Sequence, residues 1–168
     1  MSDTFSISLT AFDRGNDRRL HVKADGKRFG DSQTIKIGSD AKYDLTVTVK
    51  PNNPELKLGR LVIGGDEMTP DSSREQGDHT EYTFSWLTNG FKPTPKGRRN
   101  DLRVMFEFPH AEFATSFQVK FYPDTKGSNL TWGTEIRRID LEGRGIGGAP
   151  PDGATPTQNL APTKVTFK

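Results

Sequence analysis

The chain has 168 residues, no cysteine, and a net charge of +2 from 24 basic and 22 acidic side chains. One domain of this length buries roughly two-thirds of its unfolded surface, and without cysteine it has no disulfide, thiolate metal site or cysteine nucleophile. The mild charge balance speaks against a nucleic-acid partner, no stretch approaches the ~20 apolar residues of a membrane span, and the polar, alternating start lacks the apolar run of a secretory signal; a cytoplasmic protein is expected, with peripheral contact at the inner face of the plasma membrane left open.

The dominant period along the chain is two. Phe5, Ile7, Leu9 and Ala11 alternate with Ser6, Ser8 and Thr10, as in a strand with one buried and one wet face. Shorter candidates follow at residues 20–22 and 34–37. Leu45, Val47 and Val49 then alternate with Thr46 and Thr48, and another short candidate covers residues 58–63. Tyr82, Phe84 and Trp86 come next, then Leu102, Val104, Phe106 and Phe108, then Phe117, Val119 and Phe121, and a short candidate at residues 136–141. Turn chemistry separates these runs: Asp25-Gly26, Gly38-Ser39, Asn52-Asn53-Pro54, Gly64-Gly65-Asp66, Asn89-Gly90 and Lys126-Gly127-Ser128. Many short strands with regular turns imply an all-β sandwich or barrel. No amphipathic run is long enough for a major helix; a turn of helix is expected at residues 110–115, after Pro109.

From Gly143 the composition shifts to glycine and proline, so residues 1–142 read as the folded domain and 143–168 as a flexible tail. The last residues, from Lys164 to Lys168, alternate again and are either an edge strand or strand-like only in composition.

Little in the chain suggests catalysis. Gly143, Gly145 and Gly148 fit the letters of a dinucleotide-binding turn, but Pro150-Pro151 forbid the helix that would hold a pyrophosphate. The three histidines, His21, His79 and His110, lack metal-ligand spacing, and the pairing of His110 with Glu112 lacks a third ligand. No serine or threonine sits in a nucleophile elbow. No catalytic residue, metal or cofactor is therefore expected. The inward aromatics Phe84, Trp86, Phe106, Phe108, Phe117 and Phe121 read as core, or in part as the lining of a cavity for an apolar ligand. The most informative polar feature is the loop at residues 91–99. It carries Lys92, Lys96, Arg98 and Arg99 with no acid between them, and it suits an acidic peptide, an anionic membrane face or phosphate.

Several stretches together resemble the cannabinoid receptor-interacting protein family. They are Asp25-Gly26-Lys27-Arg28-Phe29-Gly30, Thr34-Ile35-Lys36, Lys50-Pro51, Ile63-Gly64-Gly65, Tyr82-Thr83, Gly90 with Pro93-Thr94 and Lys96, Gln118-Val119-Lys120-Phe121-Tyr122, and Trp132-Gly133. The resemblance runs from about Leu20 to Glu142. The chain departs from the family in its longer stretch between Asn52 and Leu58 and its Gly/Pro-rich end, and its lack of cysteine differs from the vertebrate pattern. The resemblance implies an antiparallel immunoglobulin-like β-sandwich or barrel, similar to Rho GDP-dissociation inhibitor. It also implies a non-enzymatic modulator of G-protein-coupled receptor signalling that binds the C-terminal tail of the type-one cannabinoid receptor. By the same analogy, an alternative cargo is the acylated N-terminus of a G-protein α subunit; an unrecognised enzyme is a third reading. Tyr82, Trp86, Phe117, Lys120 and Trp132 lie in or beside family-like stretches and are the groove or cavity candidates, with Lys92, Lys96, Arg98 and Arg99 the electrostatic ones.

Overall fold

Alternating apolar and hydroxyl side chains give the strands of this protein one face to bury. In the computed structural model, which describes residues 4–13, 15, 17–24, 33–95, 98–123, 134–145 and 158–168, they do so in fourteen strands. These are β1 (Thr4–Asp13), β2 (Arg18–Ala24), β3 (Gln33–Gly38), β4 (Lys42–Lys50), β5 (Arg60–Ile63), β6 (Asp66–Met68) and β7 (Ser72–Gln76). They continue with β8 (His79–Leu87), β9 (Asn100–Phe108), β10 (Ala111–Tyr122), β11 (Thr134–Ile136), β12 (Ile139–Arg144), β13 (Gln158–Leu160) and β14 (Lys164–Phe167). One 3-10 turn, Pro54–Leu56, is capped by the Asn53 side chain, which accepts from the Glu55 N–H. Among the described residues no helix is long and apolar enough to cross a membrane.

The strands form one continuous mixed sheet in the order β6-β5-β9-β10-β3-β2-β1-β4-β8-β7. The sheet doubles over at the β1–β2 corner. There only Phe12↔Arg19 and Asp13↔Arg18 pair, and Arg18 Nη2 meets the buried Asp13 Oδ2 at 3.1 Å. One layer is then β7-β8-β4-β1-β12-β14 and the other is β6-β5-β9-β10-β3-β2, with β11 beside β2 and β13 beside β10. Apolar residues from both layers fill the space between. Phe5 of β1 packs edge-on against Phe113 of β10 (5.0 Å) and Phe108 of β9 (6.2 Å). In β4, Tyr43, Leu45, Val47 and Val49 are buried while Asp44, Thr46 and Thr48 are partly exposed, the burial rhythm expected of a half-wet strand.

The all-β class is as expected; three details differ. The sheet is not closed into a barrel. It is not wholly antiparallel, because β10 pairs in parallel with both β3 and β13. The helical turn expected at residues 110–115 is instead the β9–β10 hairpin. Pro109 and His110 make a two-residue connection between Phe108 and Ala111, and burying Ala111 and Phe113 on alternate positions favours a strand.

At the far end of the chain, Gly143 and Arg144 continue β12, and β14 pairs with β12 at the sheet edge. The space for Gly143 is the reason it is glycine. A Cβ there would collide with the tip of the Phe5 ring and come within 2.7 Å of Phe113 Cε2.

Candidate functional site

The cationic loop is anchored from within by two residues. Phe91 lies flat on Phe121 of β10, with ring centroids 4.8 Å apart and planes 8° apart, and meets Trp86 edge-on at 5.7 Å. Thr94 is buried. Its N–H donates to the Phe121 carbonyl (2.9 Å), its hydroxyl accepts from the Phe121 N–H (2.9 Å), and the hydroxyl donates to Asn100 Oδ1 (2.7 Å). With the loop so pinned, Lys92, Arg98 and Arg99 project outward as exposed residues, and no carboxylate pairs with Lys92 or Arg98 among the described residues. Lys96 lies outside the described residues.

Arg99 turns back onto the outer face of the sheet. Its Nε donates to Thr34 Oγ1 of β3 at 3.0 Å, and Gln118 Nε2 of β10 donates to the same oxygen at 2.6 Å. The parallel register then sets Lys120 of β10 opposite Lys36 of β3. Both ammonium groups lie over the Tyr122 ring, Lys120 Nζ at 5.5 Å and Lys36 Nζ at 5.8 Å from its centroid. Rings attract cations at this range, which offsets part of the repulsion between the two lysines. Partial burial pushes the Tyr122 hydroxyl above its ordinary pKa, and the Arg99 guanidinium partly counters that shift. The phenol is therefore neutral at physiological pH; Lys36 is buried, so the positive charge open to solvent on this face comes from Lys120 and the loop cations.

Two of the predicted residues, Arg99 and Lys120, thus meet on one face, joined by Lys36, Gln118 and Tyr122. Lys36 was missed because its only sequence signal, a lysine between two isoleucines, marks an outward strand position and not a neighbour. The predicted aromatic residues do not share one groove. Tyr82, Trp86 and Phe117 are all buried and point inward. The Tyr82 hydroxyl accepts from the Leu58 N–H at 3.1 Å, and its ring borders a surface groove of about 510 Å³ with Lys57, Pro70 and Ser72. Trp86 sits between Tyr43 and Phe91, and its indole N–H has no hydrogen-bond partner among the described residues. Phe117 meets Phe167 edge-on at 6.1 Å. Trp132 lies outside the described residues. Among the described residues no group of three or more His, Cys, Asp or Glu side chains is placed to hold a metal ion.

Beside the positive face, β10 has an edge that is only partly covered. On the side away from β9, residues 111–113 pair with β13 and residues 119–122 pair with β3. Among the described residues no strand pairs with residues 114–118 on that side. Two surface grooves flank the segment that runs past this gap. One of about 380 Å³ is lined by Arg103, Glu112, Ser116, Asn159 and Leu160, and one of about 490 Å³ by Phe5, Lys50, Glu142, Gly143 and Thr163.

An all-β sandwich with a positive outer face and an interrupted strand edge has the features by which β-proteins take up extended chains. The family model described as CB1 cannabinoid receptor-interacting protein 1 matches residues 1–146, and the chain belongs to this family. Proteins with that same name from Bos taurus and Homo sapiens are each 33% identical to it over 139 residues, covering 81% of this chain and 84% of theirs. The Mus musculus protein of that name is 32% identical over the same spans.

Proposed function

We propose that this protein is a non-enzymatic cytoplasmic adaptor that binds the C-terminal tail of a G-protein-coupled receptor and thereby modulates its signalling. The observation that carries the reading is the juxtaposition, in a member of this family, of the positive face with the uncovered β10 edge. Relatives are named for interaction with the CB1 cannabinoid receptor, so that receptor's tail is the first candidate ligand. A tail segment adds as a strand at the seam between the layers, where the β10 and β12 edges offer main-chain hydrogen bonds that supply affinity. Acidic residues of the tail are drawn to Lys92, Arg98, Arg99 and Lys120, which raises the rate of encounter more than it deepens the bound state.

Calorimetry with a synthetic CB1 tail peptide tests this. Affinity is expected to fall as salt rises, because exposed charges are screened within about a 10 Å Debye length at 0.1 M. The Lys92→Glu/Arg98→Glu variant is expected to bind about tenfold more weakly, since reversing two exposed charges removes up to ~1 kcal/mol of attraction at each. Absence of binding overturns the adaptor reading; salt-independent binding that the variant retains overturns the role of the loop.

A second reading, an acyl-chain chaperone for a G-protein α N-terminus, is favoured by the position of the gap in β10 next to the inward rings of Phe113 and Phe117. Against it, those rings are in contact with other aromatic rings, Phe113 with Phe5 and Phe106, and Phe117 with Phe167. An acylated peptide is expected to gain ~0.8 kcal/mol per buried methylene if this reading holds; equal affinity for the acylated and bare peptides refutes it.

A further inference from the structure

Residues 158–168 run from one layer of the sandwich to the other across its open seam. β13 adds in parallel to β10, and β14 adds antiparallel to β12, with Ile139↔Phe167, Asp140↔Thr166, Leu141↔Val165 and Glu142↔Lys164 opposite each other. The segment lies beyond the residues that the family model matches. It is held by short ladders of three and four residues, where β1 and β4 pair over eight. It is also poorly buried: Lys164 is exposed, and so is Val165 at 40%. Its side-chain anchors are Leu160 beside Gly145, Phe167 against Phe117, and Lys168 Nζ on Asp140 Oδ2 at 3.2 Å; the Thr163 N–H donates to the Glu142 carbonyl (2.8 Å), and the Lys168 main chain bonds to Arg137 and Arg138 at its end. Short, exposed ladders of this kind open at the low end of a protein's local stability.

The segment also states what chemistry the edge accepts. Val165, Phe167 and Lys168 present an apolar residue, an aromatic two positions on, and a cation directly after it, on an extended backbone. We propose that residues 158–168 are a tethered pseudo-ligand: they occupy the β12 edge, an extended partner peptide with this apolar-x-aromatic-basic pattern adds to the same edge, and it binds only by displacing β14. Because the occupant belongs to the same chain, it competes at a high effective concentration and sets a threshold on partner affinity. The inference rests on the adaptor reading for the identity of the partner, though not for the existence of the displaceable strand.

Locking the strand tests this in the full chain. Glu142 and Lys164 stand opposite each other in the antiparallel ladder, with the Cα spacing a disulfide accepts. The chain has no other cysteine, so Glu142→Cys/Lys164→Cys forms one defined intramolecular bond. Two probes are titrated into the oxidised and the reduced protein: a synthetic copy of residues 158–168 and the CB1 tail peptide. Amide exchange in β4 and β8 confirms that both forms are folded. The reduced protein is expected to bind both probes, and the oxidised protein at least tenfold more weakly. Equal binding of the tail peptide by both forms overturns the proposal and leaves the adaptor reading standing. Lock-sensitive binding of the 158–168 copy without binding of the tail peptide supports the displaceable strand and sinks the adaptor reading. Failure of the reduced protein to bind its own segment overturns the proposal.

Discussion

Replacing Gly143 by alanine adds one methyl group at the tightest point between the layers. The new Cβ would clash with Phe5 Cζ and lie 2.7 Å from both Phe113 Cε2 and Phe5 Cε1, where carbon atoms at rest are ~3.5–4.0 Å apart. Phe113 is enclosed by other rings, and Phe5 can yield only toward the groove it lines with Gly143. Phe5 and Phe113 are buried 5.0 Å apart, with Phe108 behind one at 6.2 Å and Phe106 behind the other at 6.1 Å. Overpacking of this kind costs about 1–3 kcal/mol. Removing the conformational freedom of a glycine returns about 0.4–1 kcal/mol. The net expectation is a loss of ~1–2 kcal/mol, read as a lower urea midpoint with an unchanged slope. A double-mutant cycle with Phe5→Leu isolates the cause. Leucine withdraws the ring tip, so the double variant should lose less than the sum of the two single losses. An unchanged midpoint for Gly143→Ala, or strict additivity in the cycle, would refute the steric account.

Two further outcomes follow from buried polar contacts. The fully buried Thr88 hydroxyl donates to the Gly38 carbonyl (2.6 Å) and accepts from the Ala41 N–H (2.8 Å), joining the β3–β4 turn to the end of β8. Thr88→Val keeps the shape and strands both groups, so denaturation should show a loss of about 1–3 kcal/mol; no loss would mean that water replaces the hydroxyl. At Asp140, burial pushes the carboxyl up, but the Ser8 hydroxyl (2.7 Å), Lys168 and Arg138 more than offset this and hold its pKa below the ordinary value. The stability it contributes is therefore complete above the unfolded-state value of about 3.9 and is lost as pH falls through the depressed folded value. Protection of the β14 amides, taken relative to the intrinsic exchange rate at each pH, should fall below about pH 4 in the parent and change less in Asp140→Asn; identical pH profiles would contradict this anchoring role.

The sequence was most legible where one face of a strand is dry. Alternation in β4, β8 and β9 reports burial directly, because period two is the geometry of a strand. The outer edge strand β7 carries no such signal. In β7, Ser72–Gln76, every side chain is polar, and nothing in it distinguishes a strand from a loop. The start of β10 was obscured by Pro109, which suits the first turn of a helix as well as a hairpin. Composition alone reads the glycines at 143 and 145 as linker. One is in fact excluded from carrying a side chain by two phenylalanines, and the other holds a φ of 97°. The loop cations were visible as a run without acids. Their junction with Lys120 was not, because it depends on the parallel pairing of β3 with β10. The Gln118–Thr34 hydrogen bond alone spans 84 positions of sequence.

The edges of the sheet argue for where recognition occurs. Exposed strand edges invite unwanted pairing, and proteins blunt them with short strands and charge. Both outer edges here are blunted. β6 has three residues, two of them acidic, and β7 is an exposed polar strand bearing Arg74 and Glu75. The edges of β10 and β12 at the seam are different. They are built from Ala111, Phe113, Ile139 and Leu141, residues buried in the core. What covers them is a short strand on each side, supplied by a segment beyond the match to the family model. Among the described residues, an apolar edge bordered by a positive face and covered by a short strand is a place where an incoming chain gains both main-chain hydrogen bonds and side-chain burial. That contrast between blunted and merely covered edges is the physical reason to place the partner at the seam.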